Sequence, residues 1–383
     1  MRITLCIPTR NRSEFLGRLL CYYATTRFPH RISIGDASGP EEAARNQQAI
    51  DSFRDALTIE YWESPGLSSG AALERMSQSI STPYCAFLGD DDFLCPGMLE
   101  RCMEFLDAHP DYGSAHGNAI LFQLEQPGPY GELGTVHHYP QAVLEAETGA
   151  ERLREFFTVS LYAVLNSVHR AETWRAMFQG LGAMSGVMNR NLFKDELIAT
   201  CVSVVRGKVK ALDGLSLIRQ AHETYHWPHV YDWLTDPEWF PSYQVFVERV
   251  SDELMRQDGL GPERARAEVR EALWVYLAHE VTRAWRKEVS PRGPKRLRLR
   301  AFAKRIPGLR TSWRALRAMG ERQRDAFSLP ALVHPSSPYH AEFMPAYRVL
   351  SGARPDQIPR GVDGDRPADI TLAGVAASME PGE

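Results

Sequence analysis

Phe87–Pro96 reads FLGDDDFLCP, in which Asp90, Asp91 and Asp92 stand between an apolar run, YCAFLG (84–89), and a second apolar pair. Adjacent carboxylates repel one another, and burying one without a partner costs several kcal/mol or shifts its pKa until it neutralises. The surroundings say what kind of strand ends in such a cluster. ITLCI (3–7), RISIG (31–35), TIEYW (58–62) and YCAFLG are short β-rich runs. Between them apolar residues recur at helical spacing: Phe15, Leu16, Leu19, Leu20 and Tyr23, then Ala72, Leu73, Met76 and Ile80, then Leu99, Cys102, Met103 and Leu106 after Pro96. Asn11 or Ser13 is the expected N-cap of the first helix. The alternation predicts an α/β fold, a mostly parallel Rossmann-like sheet flanked by helices. In such sheets ligands bind outside the carboxyl ends of the strands. Three loops there carry unusual polar groups: Thr9-Arg10-Asn11-Arg12, Asp36, and the three aspartates.

Composition narrows the function classes. The chain has 383 residues, 44% hydrophobic and 24% charged, with a formal charge of -4. These are ordinary globular values, and the overall charge gives no reason to expect a nucleic-acid partner. Six cysteines lie mostly in apolar segments without a Cys-x-x-Cys pair, which points to core residues of a reduced protein. No apolar stretch approaches the ~18 residues of a membrane span. MRITLCIPTRNR lacks a signal-peptide pattern, so the expected location is cytoplasmic.

A divalent cation would resolve the charge problem of Asp90–Asp92. Mg²⁺ or Mn²⁺ takes oxygen ligands and usually uses one or two carboxylates plus substrate phosphates. The alternative is a solvated acidic turn, with Asp92 capping the next helix.

CIPTRNR, the strand end GDASG and STPYCAFLGDDDFLCPGML together resemble family 2 of the inverting glycosyltransferases, which share the nucleotide-diphospho-sugar-binding fold called GT-A. The resemblance covers about residues 1 to 220. It implies that Pro8, Thr9, Arg10 and Arg12 of the first loop, with Asp36, hold the nucleoside of a nucleotide-sugar. It implies that the aspartate cluster binds diphosphate and metal, Mn²⁺ or Mg²⁺, with Asp91 favoured as the ligand and Asp92 or Asp90 supporting. The family's usual first aspartate of this motif is here Gly89. Inverting transfer also needs a general base. In NLFKDELIATC the resemblance aligns Asp195, next to Glu196, with that base. A histidine at the end of the catalytic domain often reaches the metal or diphosphate in GT-A proteins, and His222 matches that placement.

His222-Glu223-Thr224-Tyr225-His226 also satisfies the His-Glu-x-x-His pattern of zinc proteases. Pro228 ends any helix there, which argues against that reading. The expectation is therefore a metal-dependent inverting glycosyltransferase with a UDP-sugar donor and a glycan, lipid-linked or protein acceptor, as in surface glycan or polysaccharide synthesis. The rivals are a non-catalytic sugar-nucleotide-binding relative and a sugar-phosphate nucleotidyltransferase. The latter would want a Gly-rich first loop, and PTRNRSE has no glycine.

The expected organisation is a GT-A domain over 1–225, a helical C-terminal region over 226–350 and a disordered tail over 351–383. Residues 286–310 carry ten Lys/Arg against one Glu. That block is a candidate for peripheral contact with the inner membrane surface, where each basic residue adds about 1 kcal/mol.

Overall fold

A computed structural model describes residues 1–159, 164–181, 192–222, 229–289 and 326–352. The order is β1 (Ile3–Thr9), α1 (Ser13–Thr25), β2 (Arg31–Asp36), α2 (Pro40–Phe53), β3 (Thr58–Glu63), α3 (Ser69–Ser79), β4 (Tyr84–Phe87), β5 (Phe93–Leu94), α4 (Pro96–Ala108), β6 (Tyr112–Leu124) and β7 (Leu133–Tyr139). There follow α5 (Gly149–Val159), β8 (Val168–Arg170), α6 (Ala171–Phe178), a π-helical turn (Phe193–Leu197), α7 (Ile198–Arg206), β9 (Lys208–Gln220), α8 (Val230–Leu234), α9 (Trp239–Asp258) and α10 (Pro262–Val289). Two helices close the described chain, α11 (Leu329–Val333) and α12 (His340–Leu350).

One sheet runs in the order β3-β2-β1-β4-β8-β6-β9-β5, with β7 on β6. The expected α/β class, a sheet with parallel strands flanked by helices and continued by C-terminal helices, is what the chain adopts. Its first four strands are all parallel; β8 is antiparallel to both neighbours, and β6 and β9 are again parallel. Side chains alternate across the sheet. Ile3, Leu5 and Ile7 join one core with α1, α4 and α12, while Cys6 joins the other with α3, α6, α7, α9 and α10. All six cysteines are buried and free.

One local detail positions the site. In β1 the carbonyl of Cys6 accepts from Leu88 on the β4 side, whereas that of Thr9 accepts from Ala37 on the β2 side. Pro8 shares the parity of Cys6, so its missing N–H faces β4. The β1–β4 register ends at Cys6↔Phe87, two residues earlier. Proline is thus tolerated because β4 has already diverged. The gap that opens is the place where the chain, having run outward to β3, returns to the other side of β1. It is filled by Asp90–Asp92.

The expected cap of α1 is corrected. Neither Asn11 nor Ser13 caps it; the N-cap is Arg12, without a side-chain capping bond. Asn11 adopts a left-handed φ of 54° and its side chain accepts from Gly39 N–H at 2.9 Å, tying the first loop to the second. Asp92 does not cap α4 either, because it is drawn to β9.

His169 of β8 gives the core a pH dependence. It is fully buried; Nε2 donates to the carbonyls of Val164 and Leu165, and Nδ1 accepts from Ser203 Oγ at 3.1 Å. Burial brings its pKa from 6.5 down to about 4. The unfolded chain takes up this proton first, so the contribution is complete above pH 6.5 and is lost as pH falls through 4, by on the order of 3 kcal/mol. Urea unfolding should show that loss, and His169→Gln should flatten it.

Candidate functional site

The question raised by three adjacent aspartates has a structural answer: each finds its own set of partners, with Arg12 shared between Asp90 and Asp91. Asp90 and Asp92 are each 3% exposed. Asp90 accepts from Thr9 Oγ1 at 2.7 Å and from Arg12 Nη1 at 2.8 Å. Asp92 accepts the backbone N–H of Gln220 at 3.0 Å, and Arg219 Nε lies 3.7 Å from its other oxygen. Asp91 meets Arg12 Nη1 at 3.0 Å and His222 Nε2 at 2.5 Å, both through Oδ2. Arg12 Nη2 also lies 3.1 Å from His222 Nε2. One ring nitrogen cannot donate to Asp91 and accept from Arg12 together, so the shorter contact defines the bond and the other is proximity.

The three carboxyls differ in charge. Burial and the neighbouring Asp91 hold both Asp90 and Asp92 above the usual carboxylate range. Burial also opposes the ionised form of Asp91, but the His222 hydrogen bond and the Arg12 charge outweigh it and hold its carboxyl below that range. Asp91 is the member held most firmly ionised. Its Oδ1 accepts no hydrogen bond among the described residues.

Gly89 makes room for this setting of Asp91. A Cβ built there would stand 2.5 Å from Asp91 Oδ1. A side chain at 89 and this setting of Asp91 exclude each other.

Arg18, which the sequence reading did not single out, lies beneath the cluster. It is fully buried on α1, with its guanidinium over the rings of Phe15 and Phe93 at 5.0 and 4.8 Å. It donates to the carbonyls of Asp91 and Pro129 and to Gln220 Oε1. Gln220 donates in turn to the Gly128 carbonyl at 2.8 Å. The aspartate loop, the end of β9 and the turn before β7 are thereby one network. A charged residue among Phe15, Leu16, Leu19 and Leu20 was the signal available in the sequence.

Of the other expected site residues, Pro8 is half-buried near the end of β1, and the buried Thr9 after it pairs in register with Asp36. Asp36 is 3% exposed and accepts from Ser38 N–H, Asn46 Nδ2 and Tyr61 Oη at 2.8, 2.7 and 2.8 Å. It shapes the second loop. Arg10 is exposed and makes no ion pair among the described residues. Asp195 lies in the π-helical turn; its side chain is outside the described residues, as are Glu223–Pro228 of the protease-like pattern. Phe193 of that turn is buried against Trp233 and Trp239 at 5.1 and 5.6 Å, so the aromatic segment after 230 packs there. Such turns recur at functional positions.

No protein-family model and no curated protein matches the chain. Solved structures do. S. aureus TarS matches at 14% identity with a TM-score of 0.47, covering 71% of this chain; this chain spans only 43% of that one. TarS 1–349 in complex with UDP-GlcNAc matches at 15% identity with a TM-score of 0.44, covering 71% of this chain and 72% of that one. The mannosyltransferase PcManGT from Pyrobaculum calidifontis, in complex with GDP-Man and Mn²⁺, matches at 13% identity with a TM-score of 0.38, covering 83% and 84%.

Whether the residues suit a divalent ion is a matter of donors. Among the described residues no group of three or more His, Cys, Asp or Glu is arranged to hold a metal. What remains is the partly exposed carboxylate of Asp91, held ionised, with an oxygen that accepts no hydrogen bond among the described residues, and an imidazole beside it. That set fits an ion that takes one or two protein ligands and fills its shell from phosphate and water.

Proposed function

We propose that the chain transfers a sugar from a nucleoside-diphosphate donor, with a UDP-sugar favoured, to an acceptor hydroxyl, with inversion at the anomeric carbon. The observation that carries this reading is Asp91: ionised, with one oxygen uncommitted, at the open β1–β4 edge and beside two cationic or cation-capable side chains from other elements. The diphosphate lies against Arg12, whose guanidinium already stands over the cluster and matches phosphate geometry. The nucleoside extends along the first loop towards the loop shaped by Asp36.

Asp91 and His222 are the residues that would hold Mn²⁺ or Mg²⁺, and the ion when bound would supply Lewis-acid stabilisation to the leaving diphosphate. Thr9, Arg12 and Gln220 keep Asp90 and Asp92 turned inward, so that a single carboxylate faces the donor. Asp195, or its neighbour Glu196, would accept the acceptor's proton from the π-helical turn. The acceptor, whether glycan, lipid-linked or protein, is left to the loops between β6 and α7. Residues 1–225 form the transfer unit in this reading and 226–350 its helical support.

The test is a thermal-shift panel of nucleoside diphosphates and their sugars, with and without Mn²⁺, followed by release of nucleoside diphosphate. A fitting donor at about 100 times its Kd stabilises by ~2.7 kcal/mol. Flat melting curves with every uridine and guanosine donor in both conditions would sink the reading.

A further inference from the structure

Phe15 opens the apolar series of α1, yet it does not serve the core. Leu16, Leu19 and Leu20 are fully buried, whereas Phe15 is half-buried and joins neither core among the described residues. What its ring meets is positive charge. The guanidinium carbon of Arg12 stands 5.2 Å from the ring centroid and that of Arg18 5.0 Å. The His222 ring lies 5.6 Å away, tilted by 40°. Positions 12, 15 and 18 are spaced by three, so the start of α1 brings them to one face. His222 reaches the same ring from beyond the end of β9.

The chemistry of such a contact is specific. An aromatic face attracts a cation through its quadrupole and carries no net charge. It therefore orients a guanidinium without neutralising it. Asp90 and Asp91 already accept from Arg12 Nη1 at 2.8 and 3.0 Å. A further carboxylate in place of the ring would set more negative charge against an incoming diphosphate. A leucine would fill the space and exert no comparable pull.

We propose that Phe15 is a positioning residue of the donor site, its ring holding the Arg12 guanidinium, beside Arg18 and His222, in the setting that receives diphosphate. Phe15 acts through Arg12 and takes no part in bond making. The inference rests on the sugar-transfer reading, which places the diphosphate against Arg12.

Calorimetric titration of the full chain with UDP and with GDP, in Mn²⁺, tests it, with a melting temperature taken for each variant. Phe15→Leu and Phe15→Met keep an apolar side chain and should bind the nucleotide about tenfold more weakly than wild type. Phe15→Tyr keeps the ring and should stay within about twofold. If packing were the whole role, affinity would follow melting temperature across the three variants; positioning predicts that it follows the ring. Progressively fluorinated phenylalanines at position 15 keep the shape and weaken the quadrupole, so affinity should fall stepwise even if the leucine and methionine variants unfold. Wild-type affinity in a folded Phe15→Leu, or no trend along the fluorinated series, would overturn the proposal and leave the sugar-transfer reading in place. A wild-type chain that binds neither nucleotide would overturn both.

Discussion

Asp91→Asn is expected to fold normally and to lose donor turnover by about 10² to 10³, the scale on which a single preorganised electrostatic contact counts. The substitution keeps the side chain's shape and removes one charge. Its consequences follow from the geometry. Arg12 retains Asp90 at 2.8 Å, so the first loop stays anchored. His222 loses the carboxylate that orients it at 2.5 Å, and any ion loses its ionised ligand. Asp90 and Asp92 lose a repelling neighbour, so stability should hold or rise slightly. The comparison to make is steady-state release of nucleoside diphosphate beside a urea melt. Mn²⁺ should also cease to add to the donor-induced shift in melting temperature. Wild-type turnover from a folded variant would remove Asp91 from the site.

Arg18→Met should have the largest effect on stability, a loss of about 3 to 5 kcal/mol. The guanidinium serves the carbonyls of Asp91 and Pro129 and the side-chain oxygen of Gln220. Methionine would leave these acceptors without donors, at ~1–3 kcal/mol each where no water reaches them. Relief of a buried cation offsets part of this, since burial lowers the Arg18 pKa to about 10. Lysine would not rescue it, because its three N–H donors radiate from one nitrogen and cannot reproduce the spacing between Nη1, which serves Pro129 and Gln220, and Nη2, which serves Asp91. Equilibrium urea unfolding reads the result. A variant within about 0.5 kcal/mol of wild type would show that the network is incidental.

Much of the fold was legible because it rests on local signals. The runs at 3–7, 31–35 and 58–62 became strands ending within two residues of where their composition ends, since β-branched and aromatic stretches favour the sheet both where it is buried, as in β1 and β2, and at its half-buried edge, as in β3. Short elements were not legible: β5, two residues pairing with the distant β9, has no pattern of its own. Within the candidate site, residue types indicated loops that the fold brings together, but not the partners each side chain takes there. Asp36, expected on the nucleoside, accepts from Ser38, Asn46 and Tyr61, partners set by the packing of α2 and β3.

By itself the sequence determined that three carboxylates stand at the end of a parallel strand, near a basic first loop, on an α/β sheet. Only the tertiary structure decided which of them faces outward. That choice depends on partners 78 to 131 residues away: Arg12 on Asp90, Gln220 on Asp92 and His222 on Asp91. Charge and spacing along a chain carry no record of which donor a fold brings within hydrogen-bond reach, and in a buried cluster that donor decides which carboxylate keeps its charge.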